Sequence, residues 1–176
     1  SLPCPLVVDE AYADFADTHC VDLVKRNEKI LVTRTLSKAY GLAGLRFGYL
    51  VAQPQLIAEF AKVKDSYNCD ALSIAAATAA IDDQAWLSEN VQRVRSTRSR
   101  LERGLAELGF SVQPSQANFV WCTTPARPLK PLYEGLKSER ILVRYMDYPQ
   151  WGEGLRVSVG TEQQTDACLD LLGRLV

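Results

Sequence analysis

The chain has 176 residues, enough for one good core or for one core and a small lobe. Hydrophobic residues make up 47% and charged residues 23%, the composition of an ordinary globular protein. A formal net charge of −1 argues against nucleic acid or an anionic membrane surface as a partner.

The chain opens on SLPCPLVVDE, without an initiator methionine, and enters an apolar run almost at once. Such a start is expected of a piece of a longer polypeptide. Leu6–Asp9 reads as a short buried strand that ends in a carboxylate. Residues 18–26 read as a helical turn, 29–33 as a second strand and 47–52 as a third. Pro54 opens a helix over 54–64 in which Leu56, Phe60 and Val63 share one face. The alanine-rich stretch 71–82 predicts a further helix, suited to close packing. In the next helix Leu87, Val91, Val94, Leu101, Leu105 and Leu108 form a stripe of helical period, and Gly109 stands where a helix-ending glycine would. The arginines of this helix, Arg93, Arg95, Arg98, Arg100 and Arg103, read as a solvated face.

Beyond Gly109 the texture changes to short strands over 118–122, 141–144 and 155–159, with a helix over 129–139. Thr161 caps a last helix with Leu169, Leu172 and Leu175 facing inward. The expected organisation is an α/β region over 1–84, a long linking helix over 85–108 and a small α+β domain over 109–176. Five cysteines, at 4, 20, 69, 122 and 168, show neither CxxC nor Cys/His spacing. Reduced structural thiols, a cytoplasmic setting and no metal site are therefore expected. No apolar run is long enough to span a bilayer.

Three polar signals lie at the ends of apolar strands, where open α/β sheets hold their ligands. Asp9 ends the first strand and Tyr12 follows. An unpaired buried carboxylate is costly, so Asp9 needs a cationic or proton-donating partner, or else it caps a helix. The second signal is TRTLSKAYGLAGLRFGY, residues 33–49, in which Thr33, Thr35 and Ser37 precede Lys38 and Arg46 follows beyond Gly41 and Gly44. Read blandly, this is a strand, a polar turn with a solvated lysine, and a second strand. Read chemically, Ser37, Arg46 and backbone amides hold a phosphate beside a lysine made nucleophilic by burial or by neighbouring positive charge. In the third signal, GLRVSVG, Arg156 is either an ion-pair anchor or a clamp for a carboxylate. A lysine for a Schiff base, a phosphate cradle, an acid for a protonated ring nitrogen and a phenol beside it are together what pyridoxal 5′-phosphate requires.

The blocks VVDEAY, TRTLSKAYGLAGLRFGY, ANFVW, ILVRYM and GLRVSVGT resemble, in order and spacing, the fold-type I aminotransferases, and among them the histidinol-phosphate aminotransferases. The resemblance runs from about residue 6 to the C-terminus, and the lysine block is its most specific part. It implies the C-terminal part of the family's large domain, a mixed and mostly parallel sheet with helices, followed by a small α+β domain. It implies pyridoxal 5′-phosphate as cofactor, an amino phosphate (histidinol phosphate) and a 2-oxo acid (2-oxoglutarate) as substrates, a place in histidine biosynthesis, and a homodimer. By the same resemblance Lys38 binds the cofactor covalently and shuttles the substrate proton, Asp9 keeps the ring nitrogen protonated, and Tyr12 donates to the phenolic oxygen. Ser37, Arg46 and Thr35 would bind the cofactor phosphate. Arg156 would bind the substrate's α-carboxylate, Arg144 a phosphate on its side chain, and Asn118 would lie near the substrate.

Where related enzymes carry a proline-rich approach to YNV, this sequence reads KDSYNCD, which leaves Tyr67 and Asn68 without an assigned role. The resemblance also implies an enzyme about twice this length, whose other half supplies a glycine-containing phosphate loop, a stacking aromatic and an asparagine on the phenolic oxygen. The chain is not expected to turn over alone. Two further readings stand beside this one: a threonine-phosphate decarboxylase of the same fold, which would share every cofactor residue, and a folded non-catalytic module.

Overall fold

The structure, a computed structural model, describes residues 2–176. The polypeptide forms two compact units, one ending at Val91 and the other spanning Gln92–Val176.

In the first unit β2 (Ile30–Thr35) is the central strand, parallel to β1 (Leu6–Asp9) and antiparallel to β3 (Gly48–Val51). Its position buries Ile30, Leu31 and Val32. Val24, from the 3-10 turn Val21–Lys25, packs on Ile30 and Val32 together with Val8 and Val51. β1 departs from the expected buried strand. It lies at the sheet edge, and Leu6, Val7 and Asp9 are exposed. The buried carboxylate is the next residue, Glu10. Short 3-10 helices occupy Ala13–Phe15, a stretch to which the sequence assigns no element, and Ala43–Leu45, within the stretch read as a polar turn.

The close packing expected of the alanine-rich helix is not met among the described residues. Helix α1 (Pro54–Val63) buries none of its side chains, and α2 (Ala71–Asp82) buries only Ser73 and Ala77. Asp70 caps α2 by accepting from the Ser73 amide at 2.9 Å. Helix α3 (Gln84–Glu107) buries Thr97, Arg98, Leu101 and Leu105. Arg98 therefore corrects the solvated-face reading, and Arg100 is engaged too, pairing with Asp166 at 2.7 Å. Past the helix Gly109 is left-handed at φ 84°, with Gly109 N–H donating to Ala106 O and Phe110 N–H to Leu105 O. These are the two bonds of a Schellman motif, whose left-handed residue favours glycine.

The second unit holds an antiparallel sheet in the order β4-β5-β7-β6, with β4 at Ser111–Gln113, β5 at Phe119–Thr123, β6 at Arg144–Tyr148 and β7 at Gly152–Ser158. Alternation sends Val120, Cys122, Leu155 and Val157 to one face, in a core with Leu101 and Leu105. Helix α4 (Leu129–Ser138) adds Leu129, Leu132 and Leu136 to that core, and α5 (Glu162–Leu175) adds Cys168, Leu171 and Leu172. The strand expected over 141–144 begins only at Arg144. A second Schellman motif uses the intervening residues, with Arg140 left-handed at φ 63° and Ile141 N–H bonded to Leu136 O. Thr161 does cap α5, in a reciprocal box with Gln164. The inward face of α5 is Thr165, Cys168, Leu171 and Leu172, while Leu175 is partly exposed.

Candidate active site

Parallel pairing brings the C-terminal ends of β1 and β2 to one edge, with Asp9 opposite Thr33. The chain leaving β1 carries Tyr12 and the chain leaving β2 carries Lys38. Lys38 Nζ stands 5.4 Å from the Tyr12 ring centroid, a cation–π distance. Lys38 is exposed, so the burial invoked to sharpen its amine is not what the fold supplies. Its neighbour Ala39 is buried and accepts from Asn90 Nδ2 at 3.2 Å, which ties the lysine turn to the start of α3. Asp9 accepts from the Ala11 amide at 3.0 Å, so it shapes the turn toward Tyr12 rather than capping a helix.

Thr35 and Ser37 come together: their hydroxyl oxygens lie 2.9 Å apart, and Ser37 N–H donates to Thr35 Oγ1 at 3.1 Å. Thr33 Oγ1 instead reaches back to Val8 O at 3.5 Å. Arg46 is left-handed at φ 54°, and its Nη1 donates to Ala43 O at 2.9 Å. Beside it lies a cavity of about 380 Å³ lined by Arg46, Phe47, Asn68, Cys69 and Ser73. Of the two residues left without a role, Asn68 lines this cavity and Tyr67 is 93% exposed.

Behind these groups lies an ion network that residue-type reasoning missed. Arg34 donates from Nε and Nη2 to Glu10 Oε2, at 2.8 and 2.7 Å, and from Nη1 to Asp14 at 3.2 Å. Glu10 also accepts from the Cys20 amide. All three side chains are largely buried. Burial pushes the Asp14 carboxyl above its usual value despite the attraction of Arg34. Burial also opposes the charge of Arg34, but its bonds to Glu10 and Asp14 outweigh this and hold it ionised more firmly than usual. The available signal was the single charge inside the strand ILVTRT.

In the second unit Arg144 and Arg156 are directly paired across β6 and β7, and Trp121 of β5 pairs with Arg156 on its other side. The Arg156 guanidinium lies 5.1 Å from the Phe119 ring centroid, and its Nε is buried without a hydrogen-bond partner among the described residues. Arg144 is exposed. Asn118 is half-buried, and its carbonyl accepts from Val159 N–H at 2.9 Å. The residue before it is held from α3, since Arg98 Nη1 donates to Ala117 O at 2.9 Å. One face of this sheet is thus core, and the other gathers two guanidiniums among aromatic rings. Such a set suits an anion with more than one acidic group.

The family model described as aminotransferase class I and II matches residues 2–172. The chain belongs to this family. It is 60% identical to a histidinol-phosphate aminotransferase from Rhodopirellula baltica, over 99% of this chain and 48% of that protein. It is 47% identical to the enzyme of the same name from Geobacter sulfurreducens, over 95% of this chain and 48% of that protein. The chain therefore spans about half the length of the curated relatives it matches. Among solved structures, the histidinol-phosphate aminotransferase from Sinorhizobium meliloti in complex with pyridoxal 5′-phosphate superposes with a TM-score of 0.85 at 27% identity, covering 98% of this chain and 50% of that one. The enzyme from Clostridium acetobutylicum gives 0.90 at 22% identity, covering 97% of this chain and 54% of that one, a likeness of fold.

Proposed function

We propose that this chain supplies the lysine-bearing half of a pyridoxal 5′-phosphate-dependent aminotransferase that exchanges an amino group between histidinol phosphate and 2-oxoglutarate, in histidine biosynthesis. The observation that carries the chemistry is Lys38 Nζ standing over the Tyr12 ring at the paired ends of β1 and β2. The choice of substrates follows the relatives that are 60% and 47% identical to it.

The donor set fits the cofactor: an exposed amine, a phenol beside it, an exposed carboxylate, two adjacent hydroxyls and a guanidinium next to a cavity. When bound, pyridoxal 5′-phosphate supplies an aldehyde that captures amines and a ring that accepts an electron pair. Lys38 holds it covalently and moves the proton at the substrate's Cα. Asp9 keeps a proton on the ring nitrogen, which preserves the electron-accepting character. Tyr12 donates to the ring oxygen, while Ser37, Thr35 and Arg46 bind the phosphate. Arg156, with a buried N–H still to satisfy, grips the α-carboxylate of 2-oxoglutarate or of the glutamate formed from it, in the planar manner that a guanidinium allows. Arg144 binds the phosphate of histidinol phosphate, and Asn118 lies against the substrate. A homodimer in the cytoplasm belongs to the same proposal. All five cysteines are free thiols, and among the described residues no helix is long and apolar enough to cross a membrane.

The test is a side-by-side assay of the complete polypeptide that carries this chain. Glutamate should form from histidinol phosphate and 2-oxoglutarate. Release of carbon dioxide from threonine phosphate, without amino transfer, would overturn the reading.

A further inference from the structure

Asp9 ends the edge strand β1, where it is exposed, and Tyr12 lies on the short loop that follows. The Asp9 bond to the Ala11 amide shapes this turn but does not tie it to the strand that leads to Lys38. Two carboxylates on either side of Tyr12 do. Glu10 and Asp14 bracket Tyr12, and both are held by the one guanidinium of Arg34, which lies on the strand that leads to Lys38. Strand alternation separates the roles. Thr33 and Thr35 take one face of β2, with Thr33 paired to Asp9, while Arg34 takes the other face and pairs with Tyr49 of β3. We propose that Arg34 is a positioning residue for the reaction. By holding Glu10 and Asp14 it fixes the turn bearing Asp9 and Tyr12 against the strand bearing Lys38.

The two carboxylates do not contribute equally. Glu10 receives two N–H groups of the guanidinium at 2.7 and 2.8 Å, receives the Cys20 amide as well, and is the most buried of the three. Asp14 takes a single longer bond at 3.2 Å. Two charge-assisted bonds from one planar guanidinium to the single oxygen Glu10 Oε2 hold more strongly and more directionally than one, so the fork to Glu10 sets the geometry and Asp14 trims it. Lysine at this position would keep the charge and lose the fork. The role rests on the cofactor reading above, because the atoms being positioned are those that would meet the ring.

Three variants of the complete polypeptide test this: Arg34→Lys, Glu10→Gln and Asp14→Asn. The first readout needs no cofactor. Amide hydrogen exchange at Ala13 and Phe15, which close the turn by bonds to Glu10 O and Tyr12 O, should accelerate by about tenfold or more in Arg34→Lys and Glu10→Gln, and by less than about threefold in Asp14→Asn. Exchange in the centre of β2 should stay at the parent's rate. The second readout is the pH midpoint of the absorbance of Lys38-bound pyridoxal 5′-phosphate. It should move by at least about half a unit in the first two variants only. Folded Arg34→Lys protein with unchanged turn exchange and an unchanged midpoint would overturn the proposal. So would loss of folding in both Arg34→Lys and Glu10→Gln, which would make the network a support of the whole sheet. If the parent itself gives no Lys38 absorbance, the cofactor reading fails, while the exchange readout still judges the turn.

Discussion

Arg144 and Arg156 stand directly opposite each other across the β6–β7 ladder, two like charges in one cross-strand pair. Such a pair is unfavourable unless an anion lies between or above the two guanidiniums, and it costs about 0.2–1 kcal/mol when left alone. In the absence of multivalent anions, Arg144→Gln should therefore be as stable as the parent or slightly more so. Inorganic phosphate at low ionic strength should raise the parent's unfolding midpoint and raise the variant's less. Urea unfolding with and without phosphate checks this, and a variant that is less stable without phosphate contradicts it. In turnover, Arg156→Lys should weaken 2-oxoglutarate, which carries the carboxylate that a planar fork grips. Arg144→Ala should weaken histidinol phosphate more than 2-oxoglutarate.

The same sheet face carries a steric constraint. A methyl group on Gly154 would meet Trp121 Cζ2 at 2.0 Å, so the indole lies flat across the β7 backbone only because position 154 lacks a side chain. Gly154→Ala should displace Trp121 and cost about 1–3 kcal/mol, the usual range for overpacking. The indole also lies tilted against Tyr148, with ring centroids 6.4 Å apart, so tryptophan emission should shift along with the loss in stability. An unshifted spectrum with parent-like stability would show that the ring has room to move.

Much of the second unit could be read from residues. Gly109, the Thr161 cap and the apolar alternation of FVWC each have a local cause that a short window contains. The strand expected at 141–144 failed for a reason no window contains: the helix-ending motif at Arg140 consumes these residues, and it uses an arginine where glycine would be the signal. In the first unit, Asp9 and Lys38 were legible from their place at strand ends. The burial of Glu10 instead of Asp9 was not, because edge or centre is decided by sheet order. Arg34 was passed over for the same reason: its partners lie 24 and 20 residues away in sequence.

Arg140 itself gives a clean test. A non-glycine residue in left-handed conformation is strained, and here φ is 63°. Arg140→Gly should stabilise the second unit by about 0.5–1 kcal/mol, the relief of strain exceeding the entropy that glycine adds to the unfolded chain. A thermal midpoint at or below the parent's would mean that the arginine side chain makes up the strain elsewhere.

Glu153 and Tyr145 give the second unit a pH signature. Glu153 accepts from the Leu129 amide at 2.8 Å, which fastens the start of α4 to β7, and from Tyr145 OH at 2.8 Å. The Leu129 bond, with the Tyr145 bond behind it, holds the Glu153 carboxyl below its ordinary value of 4.5. A depressed folded value means stability that is present above 4.5 and is lost as pH falls through the folded value. The phenol is pushed up to about 12, chiefly by its bond to Glu153. Its contribution is complete below 10 and is lost as pH rises to about 12. Glu153→Gln should flatten both limbs of a plot of stability against pH. Limbs as steep as the parent's would place the pH dependence elsewhere.

On the proposed function Lys38, and no other lysine, holds an aldehyde-bearing phosphate. The direct measurement is to incubate the protein with pyridoxal 5′-phosphate, reduce with borohydride and map the modified peptides by mass. A phosphate site beside one amine raises the local aldehyde concentration there and nowhere else. Label should fall on Lys38 and be lowered sharply by Arg46→Ala or by the double change Thr35→Ala with Ser37→Ala. Label spread evenly over Lys25, Lys29, Lys62, Lys64, Lys130 and Lys137, with Lys38 no more reactive than the rest, would contradict it.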